Sequence, residues 1–271
     1  MHIYQNNAME PWTLFYSKSG ITTNLDDFAD SICTLPSEPN ALAEVVRGLL
    51  IHEGIVAQRK MRFASDRMAD RDTVGAGNVL NRVLEIDPAP LTVERDEQNR
   101  MVSFCYQFAL LLCAFLRAKD VPARARCGFA SYFRQGFWID HWVVEYWSGS
   151  EWVVIDPDAG RDDVPRSEFN NAGEAWILCR ESKLDPAIHG NYFLWGWDEL
   201  RGSLVNDIGS LNKVECGSWN WCTFIDISDR EMPDEVIDAK LDSLAPLALG
   251  SGSLEEVMQT YQLYDWLHPP T

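Results

Sequence analysis

The sequence has no CxxC pair and no Cys/His grouping at zinc-ligand spacing, so no metal site is expected. Basic residues are scarce: 23 Lys and Arg stand against 41 Asp and Glu, a formal net charge of −18. A surface of that sign repels phosphate backbones and anionic lipids, which argues against nucleic acid and membranes as partners. Long apolar runs are missing. The longest, Phe108 to Leu116, is too short to span a bilayer. The opening MHIYQNNAMEPW lacks a basic stretch followed by an apolar one, so no secretory signal is expected. Internal repeats and low-complexity segments are also missing. The seven cysteines (33, 105, 113, 127, 179, 216 and 222) are odd in number, and the chain of 271 residues is not short. A disulfide scaffold is therefore unexpected, and a reduced, cytoplasmic setting is the expectation.

What is present is the composition of a globular protein, 46% hydrophobic and 24% charged. The spacing of apolar residues predicts helices over about Asn40–His52 and Thr73–Glu85. The stretch VSFCYQFALLLCAFLRAKDVP predicts a helix apolar on most sides, hence central and buried. Ser103 is its expected N-cap and Pro122 its stop. ARARCGFASYF, FWIDHWVVEYW and EWVVID read as strands, the last two joined through Ser148-Gly149-Ser150. Further on, Ser167 is an expected cap for a short helix through Ala175. Helices are expected over about Asp198–Asn212, Asp234–Leu244 and Ser253–Leu267. The order of elements is that of an α+β fold in one domain spanning 1–271. Its core runs over about 95–160, with helical parts 1–94 and 161–271 packed on it.

Three residues from consecutive elements stand out. Cys105 falls in the first turn of the central helix, where unpaired N–H groups favour a thiolate. His141 lies inside an aromatic, β-branched strand and needs a polar partner. Asp156 closes the next apolar strand before Pro157. A hairpin pairing Trp147 with Trp152 sets His141 one diagonal step from Asp156, and one pairing Tyr146 with Glu151 sets them opposite. Both registers put imidazole and carboxylate on one face. Asp140 adjoins His141 but points to the other face, so it ranks below Asp156 as orienting acid. In this reading Cys105 attacks a carbonyl, His141 carries the proton and Asp156 fixes the imidazole. Oxyanion donors would be the Cys105 N–H and a side chain, with Asn99, Gln98 and Trp142 as candidates. Trp138 and Trp152 are candidates for a groove wall, with Trp142 near them. Arg124 and Arg126 either brace the core or meet a substrate carboxylate. His52 and His189 have no assigned partner, and the Trp195–Trp197 region is expected to shape specificity.

These blocks resemble a known superfamily. Cys105-Tyr-Gln-Phe-Ala109 running to Arg117, then Val121-Pro122-Ala123-Arg124 and Gly128-Phe129, is similar to the transglutaminase-like core. So are Asp140-His141-Trp142-Val143-Val144-Glu145-Tyr146 and Trp152-Val153-Val154-Ile155-Asp156-Pro157. The resemblance implies a papain-like α+β fold, with the Cys-bearing helix packed on an antiparallel sheet. It implies a Cys-His-Asp triad at Cys105, His141 and Asp156, and thioester chemistry without metal or cofactor. Water or an amine is the implied acceptor, and the expected cytoplasmic setting and compact size suit a small peptide, amide or carrier-tethered acyl group as substrate. The family often has Gly shortly before the Cys, where this chain reads Val102-Ser103-Phe104, and no EF-hand-like calcium loop is found. The alternative is a non-catalytic binding module on the same fold.

Overall fold

The helix that carries Cys105 is the axis of the molecule. In the computed structural model, which describes residues 11–216, 234–250, 253–264 and 267–268, it follows a series of short elements. These are α1 (Pro11–Tyr16), α2 (Ala29–Cys33), α3 (Pro39–Leu49), β1 (Leu50–His52), α4 (Glu53–Gln58), α5 (Ser65–Ala69), α6 (Ala76–Ile86) and β2 (Met101–Ser103). The central helix itself is α7 (Cys105–Ala118). Leu110, Leu111 and Leu112 are all fully buried, which occurs only where a helix is covered on every side. Each such leucine contributes about 2 kcal/mol through loss of apolar surface from water. α7 holds no β-branched residue, and its Ala and Leu positions lose little rotamer freedom in a helix.

Two expected boundaries move for one reason. The α3 periodicity stops at Leu49, because Leu50–His52 pairs in parallel with Met101–Ser103, His52 beside Ser103. That pairing also claims Ser103, so Phe104, not Ser103, is the residue before the first turn of α7. Its N–H donates to Gln107 Oε1 at 2.8 Å, and Ser103 Oγ instead donates to the Met101 carbonyl.

After α7 come β3 (Ala123–Ala130), β4 (Trp138–Trp147), β5 (Trp152–Ile155) and β6 (Phe169–Asn171). They form a sheet in the order β5-β4-β3-β6 with antiparallel neighbours, and β7 (His189–Gly190) adds to β4 in parallel. Of the two open hairpin registers, the chain adopts Trp147 opposite Trp152, with the Ser148 N–H closing on the Glu151 carbonyl. The helix expected from Ser167 does not form. Phe169–Asn171 pairs with β3 instead, and Asn171 Oδ1 accepts the Glu174 N–H to start α8 (Ala172–Arg180).

The chain continues through α9 (Trp197–Leu211), α10 (Asp234–Ala248) and α11 (Leu254–Leu263). Ser253 caps α11 through a reciprocal pair with Glu256, and α11 ends four residues before the expected Leu267. Among the described residues the α+β architecture has two large apolar cores and two smaller apolar clusters. In the first, Ala123, Ala125, Cys127, Trp142, Val144 and Ile155 of the sheet meet α7, with α3 and α6 on its far side. In the second, Trp176, Leu200, Leu204, Ile208, Leu241 and Leu244 join α8, α9 and α10.

The edge of β3 beyond β6 is closed by a helix rather than a strand. Asp207 Oδ1 of α9 accepts the Cys127 N–H at 3.1 Å, and Ser210 Oγ donates to the Ala125 carbonyl at 2.6 Å. Among the described residues no helix is long and apolar enough to cross a membrane.

Candidate active site

His141 and Asp156 lie one diagonal apart across β4 and β5, and their side chains meet. His141 Nε2 is 2.8 Å from Asp156 Oδ2. The acid is fully buried and the imidazole nearly so. A carboxylate survives burial only if its oxygens are satisfied, and these are. Oδ1 accepts the Asp158 and Ala159 N–H groups at 3.0 and 2.9 Å, in a turn that the Asp156–Pro157 sequence begins. Oδ2 also accepts the Tyr132 hydroxyl at 2.5 Å. Burial pushes the carboxyl up, but His141, Tyr132 and the turn outweigh it and hold Asp156 below the ordinary carboxylate range.

The bond through Nε2 leaves Nδ1 of His141 for the thiol. Burial opposes the imidazolium, but the Asp156 charge and its hydrogen bond, together with Cys105, hold His141 well above the ordinary histidine range. Burial likewise opposes the thiolate. Hydrogen bonding from His141, then from His52, more than compensates, so the Cys105 thiol lies below its ordinary range. The two shifts run in opposite senses and toward the same state, a thiolate beside an imidazolium. Both directions favour the nucleophilic form of the sulfur. The other described cysteines with resolved shifts behave oppositely: burial pushes Cys113 up to about 12, Cys179 and Cys216 to about 11, and Cys127 well above a normal thiol. Cys222 lies outside the described residues.

The remaining sequence candidates are placed elsewhere. Gln98 and Asn99 are exposed on a short turn before β2. Trp142 is buried edge-on against Tyr106 in the core beneath α7. Trp138 stacks on His189, and Trp152 packs among Trp12, Trp147 and Tyr16 with the Arg124 guanidinium over its ring. Trp138 and Trp152 are half-buried against these neighbouring rings. Tyr132 and Phe133 lie beside the His141 ring, Phe133 at 4.6 Å between centroids. Both residues sat in the strand expected to run on past Ala130. Arg124 and Arg126 brace the core, sharing the buried Glu145 carboxylate, and Arg126 also grips Asp207 with two bonds of 2.8 Å. Asp140 faces Cys127, its Oδ1 3.8 Å from the sulfur, while burial raises its carboxyl to about 6. Among the described residues no group of three or more His, Cys, Asp or Glu could hold a metal ion.

Sequence analysis also missed His52. The residue ends β1, and its pairing with Ser103 sets it two residues from the nucleophile in the neighbouring strand. Nδ1 accepts the Gly54 N–H at 2.8 Å, and Nε2 lies 3.6 Å from Asp158 Oδ2.

Replacing Tyr132 by phenylalanine removes one donor from Asp156 and leaves three. We expect a loss of about 1 kcal/mol in thermal unfolding. The acid carboxyl should rise toward its ordinary value, so the acid limb of Cys105 reactivity should move to higher pH. An unchanged limb would mean that the hydroxyl does not tune the acid.

Residues 91–157 match the family model described as the transglutaminase-like superfamily. A solved structure, described as "a putative cysteine protease from Cytophaga hutchinsonii", aligns over 60% of this chain at 14% identity and a TM-score of 0.37. The match takes in 47% of that chain, so this protein spans about half the length of its structural neighbour. No curated protein matches the sequence.

Proposed function

We propose, with a transglutaminase-like core over residues 91–157 as the premise, that the protein is a cysteine-dependent acyl-transfer enzyme. Cys105 forms a thioester with the acyl part of an amide or thioester. His141 Nδ1 takes the thiol proton and returns a proton to the departing group. Asp156 holds the imidazole in the tautomer that leaves Nδ1 toward sulfur, and stabilises its cation. Water as acceptor gives a peptidase or amidase, and an amine gives an amide. Peptides and carrier-tethered acyl groups are the substrate classes that suit this chemistry.

The observation that carries the reading is the buried His141 Nε2–Asp156 Oδ2 bond of 2.8 Å beside a thiol held below its ordinary range. A binding module would have no need of either. Incubation with p-nitrophenyl acetate, followed by peptide mass spectrometry, is the direct test. We expect acetate on Cys105 ahead of every other cysteine, and its loss on adding water-rich buffer or methylamine. Faster loss with methylamine assigns an amine acceptor. Acetylation spread evenly over the exposed cysteines, with Cys105 unfavoured, would return the chain to the binding-module reading.

A further inference from the structure

A thiolate and its base do not complete acyl transfer. When sulfur attacks the carbonyl carbon, an S–C bond forms and the C=O π pair moves onto oxygen. That oxyanion needs donors aimed at it. The Cys105 N–H is one, because it lies in the first turn of α7, where N–H groups have no partner within the helix. The side chains expected from sequence for the second donor, Gln98, Asn99 and Trp142, are exposed on a turn or packed in the core.

We propose that His52 is the second oxyanion donor, supplying its Nε2–H from β1 across the parallel pair to the carbonyl bound at Cys105. The inference rests on the acyl-transfer reading above and adds a catalytic residue to it.

Five observations support it. The β1–β2 register sets His52 opposite Ser103, so the imidazole and the start of α7 leave neighbouring strands in the same direction. The Gly54 N–H donates to Nδ1 at 2.8 Å, and a nitrogen accepting a hydrogen bond carries no proton, so in the neutral ring the proton is on Nε2. Nε2 also lies 3.6 Å from Asp158 Oδ2, which restrains the ring. Finally, His52 keeps 24% of its side-chain surface and Cys105 is likewise half-buried, so a substrate carbonyl can reach both. Phe104 meets the His52 ring edge-on at 6.1 Å and limits its rotation.

The chemistry follows the charge. Burial opposes the His52 imidazolium, but Cys105 and then Asp158 outweigh it and hold the ring above the ordinary histidine range, as an Nε2–H directed toward the sulfur would require. On attack, the negative charge leaves sulfur for oxygen, and the same N–H follows it with little reorganisation. Collapse restores C=O, breaks the bond to the leaving group and passes the His141 Nδ1 proton to that group.

The test separates attack on a carbonyl from attack on an sp³ carbon. Iodoacetamide alkylation of Cys105 forms no oxyanion, whereas acetylation by p-nitrophenyl acetate does. Rates are compared at their high-pH plateaus, where the thiol is ionised in every variant. We expect His52→Ala to lower the acetylation plateau about a hundredfold while changing the alkylation plateau by less than about threefold. His52→Gln, which keeps an N–H donor, should recover at least a tenth of the acetylation rate. Resistance of buried Cys113 and Cys127 to iodoacetamide reports that each variant is folded, and if His52→Ala fails that check, His52→Gln and His52→Leu carry the comparison. Equal slowing of both reactions would make His52 a group that only tunes the thiol, and slowing of neither would leave it structural. Either result overturns the proposal. Failure of the acyl-transfer reading is different, because wild-type Cys105 would then acetylate no faster than exposed Cys33.

Discussion

Replacing His141 by alanine is expected to slow iodoacetamide alkylation of Cys105 on the order of a hundredfold at pH 6. An ordinary thiol is only about 0.3% ionised there, whereas a thiolate paired with an imidazolium is largely formed. The sign follows from the two shifts. The thiol lies below its ordinary range and the imidazole above its own, so the reactive pair exists between those two titrations. Wild-type reactivity should therefore persist as pH falls below neutrality. In His141→Ala, burial acts on the thiol with only His52 to offset it, so reactivity should rise steadily toward alkaline pH. Peptide mass spectrometry across pH 5 to 9 reads both profiles in one series. Cys113, Cys127, Cys179 and Cys216 serve as slow internal standards, since burial disfavours their thiolates. If wild-type Cys105 proves no faster than Cys33 or Cys216, the triad is not assembled as proposed.

The second large effect concerns stability. Arg126→Met is expected to cost about 3–5 kcal/mol, because it strands buried charges rather than removing a pair. Arg126 is nearly inaccessible. It holds Asp207 of α9 with two bonds, donates to Glu145 of β4 at 2.9 Å and reaches the Ala248 carbonyl at the end of α10 at 2.8 Å. One guanidinium thus ties α9 and α10 to β3 and β4. Without it, Asp207 loses its counter-charge, and burial, which already pushes that carboxyl up, favours its protonation. The pH dependence gives a second readout. Burial opposes ionisation of Glu145, but Arg124, Arg126 and Arg166 hold its carboxyl far below the ordinary range. A depressed carboxyl adds stability above its unfolded value, near pH 4.3, and that stability is lost as pH falls through the folded value. With Arg126 gone, the Glu145 carboxyl rises, so the variant should lose less stability than wild type between pH 7 and pH 4. Urea unfolding at both pH values tests this. A change under about 1 kcal/mol at pH 7 would show that the cluster relaxes around the missing cation.

The proposed triad could be read from the chain because its members fall within one short run of elements, from α7 to the end of β5. The Ser148–Glu151 turn limits the hairpin to few registers, and both that were favoured join His141 to Asp156. The period-2 alternation of Trp142, Val144 and Tyr146 against His141, Val143 and Glu145 separates the two faces in advance. What escaped notice depends on pairing between distant segments. Leu50-Ile51-His52 continues a helical apolar pattern, and only its contact with Met101–Ser103 turns it into a strand that aims His52 at the start of α7. Tyr132 required knowing that β3 ends at Ala130, where the chain turns and its hydroxyl swings back to Asp156. Ser167 and Asn171 both carry cap chemistry, and only the pairing of β6 with β3 selects the second. The local code names cap candidates, and long-range hydrogen bonding chooses among them.

The helical seal on β3 also sets an order of events during synthesis. Ala125 and Cys127 leave the ribosome well before Ser210 and Asp207, the groups that occupy their free carbonyl and N–H. At typical translation rates about 80 further residues take roughly 4–16 s. For that interval the nascent sheet shows an open strand edge beside its most apolar helix. Chaperone demand should therefore concentrate on the window before α9 emerges, and sequence changes that slow the docking of α9 would lower yield without altering the finished fold.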